Sequence, residues 1–376
     1  MKHLFGILFF PLFIFWGCTP QKTSEVIINS PKDSLSSYLD MANDFDLHSQ
    51  QRENYIEKAL RIIIVQENDS LHRTNLFKIA NRYYNIDNWK EYKKTVHLVL
   101  KKAQIKQDTF SLAKGYTYLG DYYESQAIPD SSFLYYYKAE KMYVELNDNH
   151  SLAKTIIKKA NLQYNQSDLL GAEKAISRAL KVMKNSKASD VLFDAYNLLG
   201  VIYNELDEYD KAMEYHKKAL ESIDVNVIPS VFQPEATSYN NIGFVYQNKK
   251  NYREAKSYFQ KGLEQKDLFK DKPSLYAMLL DNLAYSKFKL NEKEGLPDML
   301  YQSLKIRDSL QLTTGIFINK IHLSEYYVSA ENTQKAIRYA KEALKLSQET
   351  NNYRNILNSL KQLSVIEPHN AAVYAN

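Results

Sequence analysis

Two stretches decide the reading: Tyr196-Asn197-Leu198-Leu199-Gly200-Val201-Ile202-Tyr203 and Tyr239-Asn240-Asn241-Ile242-Gly243-Phe244-Val245-Tyr246. They share a tyrosine, an apolar run, a glycine and a second tyrosine at fixed offsets. A third, Leu119-Gly120-Asp121-Tyr122-Tyr123, carries the same core. Placing the small residue in register continues the series in both directions, through Ala80, Gly120, Ala160, Gly200, Gly243, Ala284 and Ser324. The steps between them are nearly equal, and a fixed period of that length marks a helical repeat array. Twelve and nineteen positions after Gly200 stand Ala212 and Ala219. The same offsets give Ala172 and Ala179, Ala255 and Gly262, and Ala336 and Ala343.

Small side chains recur in this way where paired helices touch at close range. Gly200 and Ala212 are expected to face each other, and Ala219 to meet the first helix of the next unit. Tyr196 and Tyr203, seven positions apart, lie on one side of a helix. Helix starts are expected at Asp108-Thr109, Ser151, Ser189-Asp190 and Pro273-Ser274. Asp207 and Asn251 are expected to cap second helices, and Lys211 to Ile223 reads as one of them. An early, degenerate unit runs from Leu35 to Ala42 and through Tyr55 to Leu60. In the unit of Ala284 the second-helix alanines are replaced by Leu296 and Ser303, and Pro297 falls in that helix's first turn. At the far end Ser364 repeats the small position, and Pro368 then leaves no room for a second helix.

These offsets resemble the tetratricopeptide repeat, in its longer branch. The resemblance covers roughly residues 36 to 367. It implies an all-α, right-handed superhelical solenoid of antiparallel helix pairs, of about 7 to 8 repeats. It implies that each first helix lines an inner groove holding an extended protein or peptide partner. Counted from the small residue, the inward positions are Asn81, Tyr84, Asp121, Asn161, Tyr164, Asn197, Asn204, Asn240, Gln247 and Asp281. Asn85 and Asn165 follow in two repeats, and Phe244, Tyr285 and Phe288 supply apolar walls. An asparagine offers both a donor and an acceptor, so a ladder of them pairs with peptide backbone without reading side chains.

The N-terminus reads as an address. Lys2 is followed by Leu4 to Trp16 without a charge, too short to span a bilayer. The run ends at Phe15-Trp16-Gly17-Cys18, which resembles a bacterial lipobox and implies lipidation at Cys18. The expected organisation is therefore a lipoprotein-type signal at residues 1–18, a tether at 19–34, the solenoid at 35–367 and a short tail at 368–376. The location implied is the cell envelope, facing the periplasm or cell surface. The layout also resembles exported bacterial regulators in which such an array precedes a membrane helix and a helix-turn-helix domain. On that alternative the chain is the sensor part alone.

Composition narrows the chemistry. The net charge is +5 and Lys2 is the only charge before residue 19, which leaves a nearly neutral body and gives no reason to expect nucleic acid, whose binding usually needs a concentrated basic face. Gly and Pro number only 10 and 9, too few for an all-β chain of tight hairpins. Cys18 is the one cysteine, so no internal disulfide and no Cys-based zinc site is possible. There is no H-E-x-x-H, glycine-rich phosphate loop or G-x-S-x-G elbow. The expectation is a binding protein without metal, cofactor or catalysis. His216, at an apolar position, is expected to be packing.

Overall fold

The computed structural model describes residues 31–184 and 188–375. The expected signal, the lipidation at Cys18 and residues 19–30 of the tether lie outside them, while its last four residues belong to the first helix. The chain divides into two units, with the boundary in the last turn of one helix, after residue 102. The described residues hold helices and turns and no strand.

The first unit contains α1 (Pro31–Met41), α2 (Ser49–Ile64), α3 (Ser70–Tyr84) and most of α4 (Trp89–Ile105). Ile56, Ile63, Leu76 and Ile79 are fully buried among them. Arg52, on α2, turns its charge toward backbone: its Nε donates to the Ala42 carbonyl at 3.1 Å. The second unit begins with α5 (Thr109–Ser125), α6 (Pro129–Glu145), α7 (Asn149–Asn165) and α8 (Leu169–Val182). It continues with α9 (Ser189–Glu205), α10 (Tyr209–Glu221), α11 (Pro234–Asn248) and α12 (Tyr252–Leu263). After a short α13 (Leu268–Asp271) come α14 (Pro273–Lys289), α15 (Leu296–Ser309), α16 (Thr313–Ser329), α17 (Thr333–Glu349), α18 (Tyr353–Ile366) and a short α19 (Ala371–Ala375). First and second helices alternate. α18 is a first helix, followed by a 3-10 turn at Pro368–Asn370 and by α19 instead of a long partner.

The small residue does what close packing requires, with one correction to the expected register. A Cβ on Gly200 would lie 2.5 Å from the His216 ring, and one on Gly243 would lie 2.6 Å from the Phe259 ring. A Cβ on Gly120 would strike Tyr136. The large partner therefore stands sixteen positions on, not twelve. The twelfth position touches by a hydrogen bond: Ser132 Oγ donates to the Gly120 carbonyl at 2.9 Å, and Ser324 Oγ to the Ala336 carbonyl at 2.9 Å. Where the first residue is alanine, the sixteenth is aliphatic: Val96, Ile176 and Leu300, all buried. Ring with glycine and branched chain with alanine keep the volume of the contact nearly constant.

A second recurring device clasps three of the pairs. The Tyr215 ring lies between those of Tyr196 at 6.2 Å and Tyr203 at 5.4 Å. Tyr135 lies likewise between Tyr116 and Tyr123, and Tyr258 between Tyr239 and Tyr246. Lys138, Lys218 and Lys261, three positions on, place their ammonium groups about 5 Å over these central rings.

The turn from first to second helix is closed by a left-handed residue seven positions after the small one. Asp87, Ala127, Ser167, Asp207, Lys250, Asn291 and Glu331 all have φ between 54° and 63°. The next N–H returns to the carbonyl five positions back, as from Glu208 to Tyr203 at 2.9 Å. Asp207 thus closes the turn instead of capping α10. Asn251 stands at the start of α12 without a side-chain cap bond. The cap at Asp108 is present, accepting from the Ser111 N–H at 3.0 Å, whereas the helix of Ser151 starts earlier, capped by Asp148. The long period is absorbed mostly by 17-residue first helices. α10 stops at Glu221, short of Ile223, and the wider spacing from Gly200 to Gly243 accommodates a 3-10 turn at Ser230–Phe232.

Candidate functional site

The inward sides of the first helices in the second unit enclose two adjoining cavities. The first, of about 440 Å³, is lined by Lys154, Ile157, Lys158, Asn161, Asp194, Asn197, Leu198, Val201 and Asn241. The second, of about 820 Å³, is bounded by Tyr164, Val201, Asn204, Glu205, Asn240, Asn241, Phe244 and Met278 on one side. On the other it reaches Asn282, Arg307, the Gln311–Gly315 turn and Ile318. Val201 and Asn241 line both, so the two form one trough.

Carboxamides run along this trough as a ladder, and its rungs are linked. Asn241 Nδ2 donates to Asn197 Oδ1 at 3.0 Å, Asn248 to Asn204 at 3.1 Å, and Asn282 to Asn240 at 3.0 Å. Asn240 in turn donates to Asn241 Oδ1 at 3.2 Å. The NH₂ groups of Asn197 and Asn204 have no partner among the described residues and stand half-exposed at the trough wall. Sequence reasoning found Asn197, Asn204 and Asn240 and missed Asn241, Asn248 and Asn282. The doubled Asn240-Asn241 was the available signal, since two adjacent helical residues reach different neighbouring helices.

Between the rungs lie apolar groups. Phe244, Met278 and Ile318 line the second cavity with 40%, 42% and 38% of their surface exposed. Large apolar side chains held open in a concavity, beside half-satisfied amides, make a surface suited to a chain with both backbone and apolar side groups.

The other expected residues fall elsewhere or at its margin. Asn161 and Tyr164 line the trough, in the first and second cavities respectively. Asp121 is engaged by Tyr136 Oη and Lys158 Nζ, each at 2.6 Å. Gln247 is half-buried and accepts from Ser286 Oγ at 3.3 Å. Asn81 and Tyr84 belong to the first unit, where Tyr84 packs edge-on against Trp89. Tyr285 stacks on His322 at 4.2 Å between ring centres, and Phe288 packs near it.

Asp281 is the clear departure. It is fully buried and cannot meet a ligand. Arg307 donates to it at 3.2 Å, Asn319 at 2.7 Å, and His322 Nδ1 stands 3.1 Å away. Arg307 also donates to the Gly315 carbonyl at 2.6 Å, and a Cβ on Gly315 would collide with the Arg307 stem. This node ties α14, α15 and α16 together directly behind the second cavity.

Two electrostatic features complete the site. Arg354, on α18, lies 3.2 Å from Glu205 at the end of α9, far apart in sequence. Asp194 is open to the trough, yet the surrounding protein thins the water that would stabilise its charge. That desolvation pushes its carboxyl above the usual range, although Lys154 and Lys158 pull the other way.

Family profiles of the tetratricopeptide repeat match residues 193–222 and 236–267. No curated protein sequence matches the chain significantly. Solved structures do. One is a signal-transduction ATPase with a tetratricopeptide-repeat sensor, PH0952 from Pyrococcus horikoshii, with a TM-score of 0.61 and 15% identity. The match covers 92% of this chain but 50% of that one, so the chain spans half its length. A Rap protein complexed with competence and sporulation factor gives a TM-score of 0.56 at 15% identity, covering 92% of this chain and 99% of that one. NprR in complex with its cognate peptide NprX gives 0.51 at 15% identity, covering 89% and 97%. At such identities the likeness is one of fold.

Proposed function

We propose, from the premise that this is a tetratricopeptide-repeat protein, that it is a non-catalytic scaffold of the bacterial cell envelope that holds an extended polypeptide segment in the trough of its second unit. The observation that carries this reading is the row of half-satisfied carboxamides interleaved with open apolar side chains. Free NH₂ groups on Asn197 and Asn204 suit backbone carbonyls, and Phe244, Met278 and Ile318 suit apolar side groups. The two peptide- and factor-bound relatives support the same use of this fold. The envelope location rests on the sequence alone, on the apolar run ending at Cys18.

Each part has its test. Asn197→Ala with Asn204→Ala should weaken binding of a synthetic apolar decapeptide pool more than about tenfold, since a buried hydrogen bond is worth roughly 1 kcal/mol. Fluorescence anisotropy reads this, and unchanged affinity rejects the trough as the site. For the anchor, Cys18→Ser should move the protein from the membrane fraction to the soluble one in a bacterial host. Retention in the membrane fraction would count against lipidation at Cys18.

A further inference from the structure

We infer that the first cavity receives a positively charged group of the bound segment on the Asp194 carboxylate, either a lysine or arginine side chain or a free α-amino terminus. This rests on the peptide-binding reading above and adds a chemical requirement to it. The charges lining and flanking the cavity do not balance. Lys154 is held by Asp190 at 2.8 Å, and Lys158 by Asp121 at 2.6 Å. Asp194 lies beside both lysines and has no hydrogen-bond or ion-pair partner of its own among the described residues. Asp190 is met by His150 at 3.1 Å as well as by Lys154, and Asp121 by Lys158, so the negative charge left facing the trough is that of Asp194. An anionic ligand group would have to break an existing ion pair to find a cation. A cationic one finds Asp194 unengaged, in a cavity that Asn161 and Asn197 also line with carboxamides able to accept N–H bonds.

The surroundings strengthen such a contact. The desolvation that raises the Asp194 carboxyl is a cost of holding an unpaired charge, and an arriving cation offsets it. Position adds a spacing rule. Val201, which lines both cavities, lies seven positions beyond Asp194 on α9, roughly 10 Å along the helix axis. An extended chain covers that in about three residues. The favoured segment therefore carries a basic group about three residues from a large apolar side chain, which enters the chamber of Phe244 and Met278.

The experiment uses the full-length protein and a positional-scanning pool of synthetic decapeptides with Lys, Gln or Glu at each position. One arm is N-acetylated and the other has a free amine. The expected result is about fivefold or greater enrichment of Lys over Gln at one position, or of free over acetylated termini, which tells the two sources apart. Asp194→Asn should abolish that preference while apolar peptides are still retained, and Asp194→Glu should restore it. Equal retention of Lys and Gln peptides with no preference for free over acetylated termini, enrichment of Glu, or a preference that survives Asp194→Asn would overturn the inference and leave peptide binding standing. A natively helical protein that retains no peptide of any kind would remove the underlying reading and this inference with it.

Discussion

His216 fills the niche that the missing side chain of Gly200 leaves open. Burial is the cause that pushes its imidazole down to about 4, and its Nδ1 has no partner. The unfolded chain, with an ordinary histidine near 6.5, takes up a proton before the native protein does. Stability is therefore fully present above about pH 6.5 and drains away as pH falls toward 4, by at most about 3 kcal/mol. His216→Phe copies the Gly243–Phe259 contact and should reduce that dependence to the part carried by His72 and His97, which burial also lowers. Urea midpoints at pH 7 and pH 4.5 check it, and an unchanged slope would show that another group is responsible. Glu140 is separate: burial would raise it, but hydrogen bonds from Lys159 and Arg178 outweigh burial and hold it low. Its contribution is present above the ordinary carboxylate range and is lost as pH falls from that range through the lower native value. At this scale the small residues were legible from spacing, because nothing but close approach brings a glycine or alanine back at so regular a period. Their partners were not. Which residue a glycine faces depends on the angle at which two helices cross, and the spacing of one helix does not contain that angle.

Among the elements, α14, α15 and α16 are joined by the buried charges of Asp281 and Arg307. Removing one partner strands the other, so Asp281→Ala should cost about 3–5 kcal/mol in chemical denaturation. Asp281→Leu with Arg307→Met should recover most of that, because the penalty belongs to the orphaned charge and not to the lost attraction. A double variant as unstable as the single would show that the node is needed for packing instead. Register alone placed Asp281 in the trough beside Asn197 and Asn240. It is withdrawn because Arg307, from the following helix, reaches back to it. A helix pattern read one face at a time cannot reveal a partner on another helix. The asparagine ladder was half legible for the same reason. In the rungs of Asn197 with Asn241 and Asn240 with Asn282, one member stood at an inward position and its neighbour did not, whereas Asn248 shares the inward register of Asn85 and Asn165 and went unnamed.

Over the second unit as a whole, small rotations between successive repeats accumulate until α18 meets the end of α9. No sequence period contains that event. The contact is Arg354 with Glu205, whose side chains are 81% and 42% exposed, so solvent and salt screen it. Arg354→Ala should shift stability by less than about 0.5 kcal/mol. It should also broaden the distance between spin labels at Leu206 and Asn358. A loss above about 2 kcal/mol, well beyond what an exposed ion pair supplies, would make this contact a structural part of the fold and not a closure of the trough. The matched volumes of the first and second helices have their own outcome for how such an array is rearranged. A crossover that joins α9 to α8 sets Gly200 against Ile176 and leaves a void. The reciprocal product sets Ala160 against His216 and overfills the same space. Recombination that respects the packing must cut after a second helix and before the next first one, so whole pairs are the units that gene shuffling can exchange.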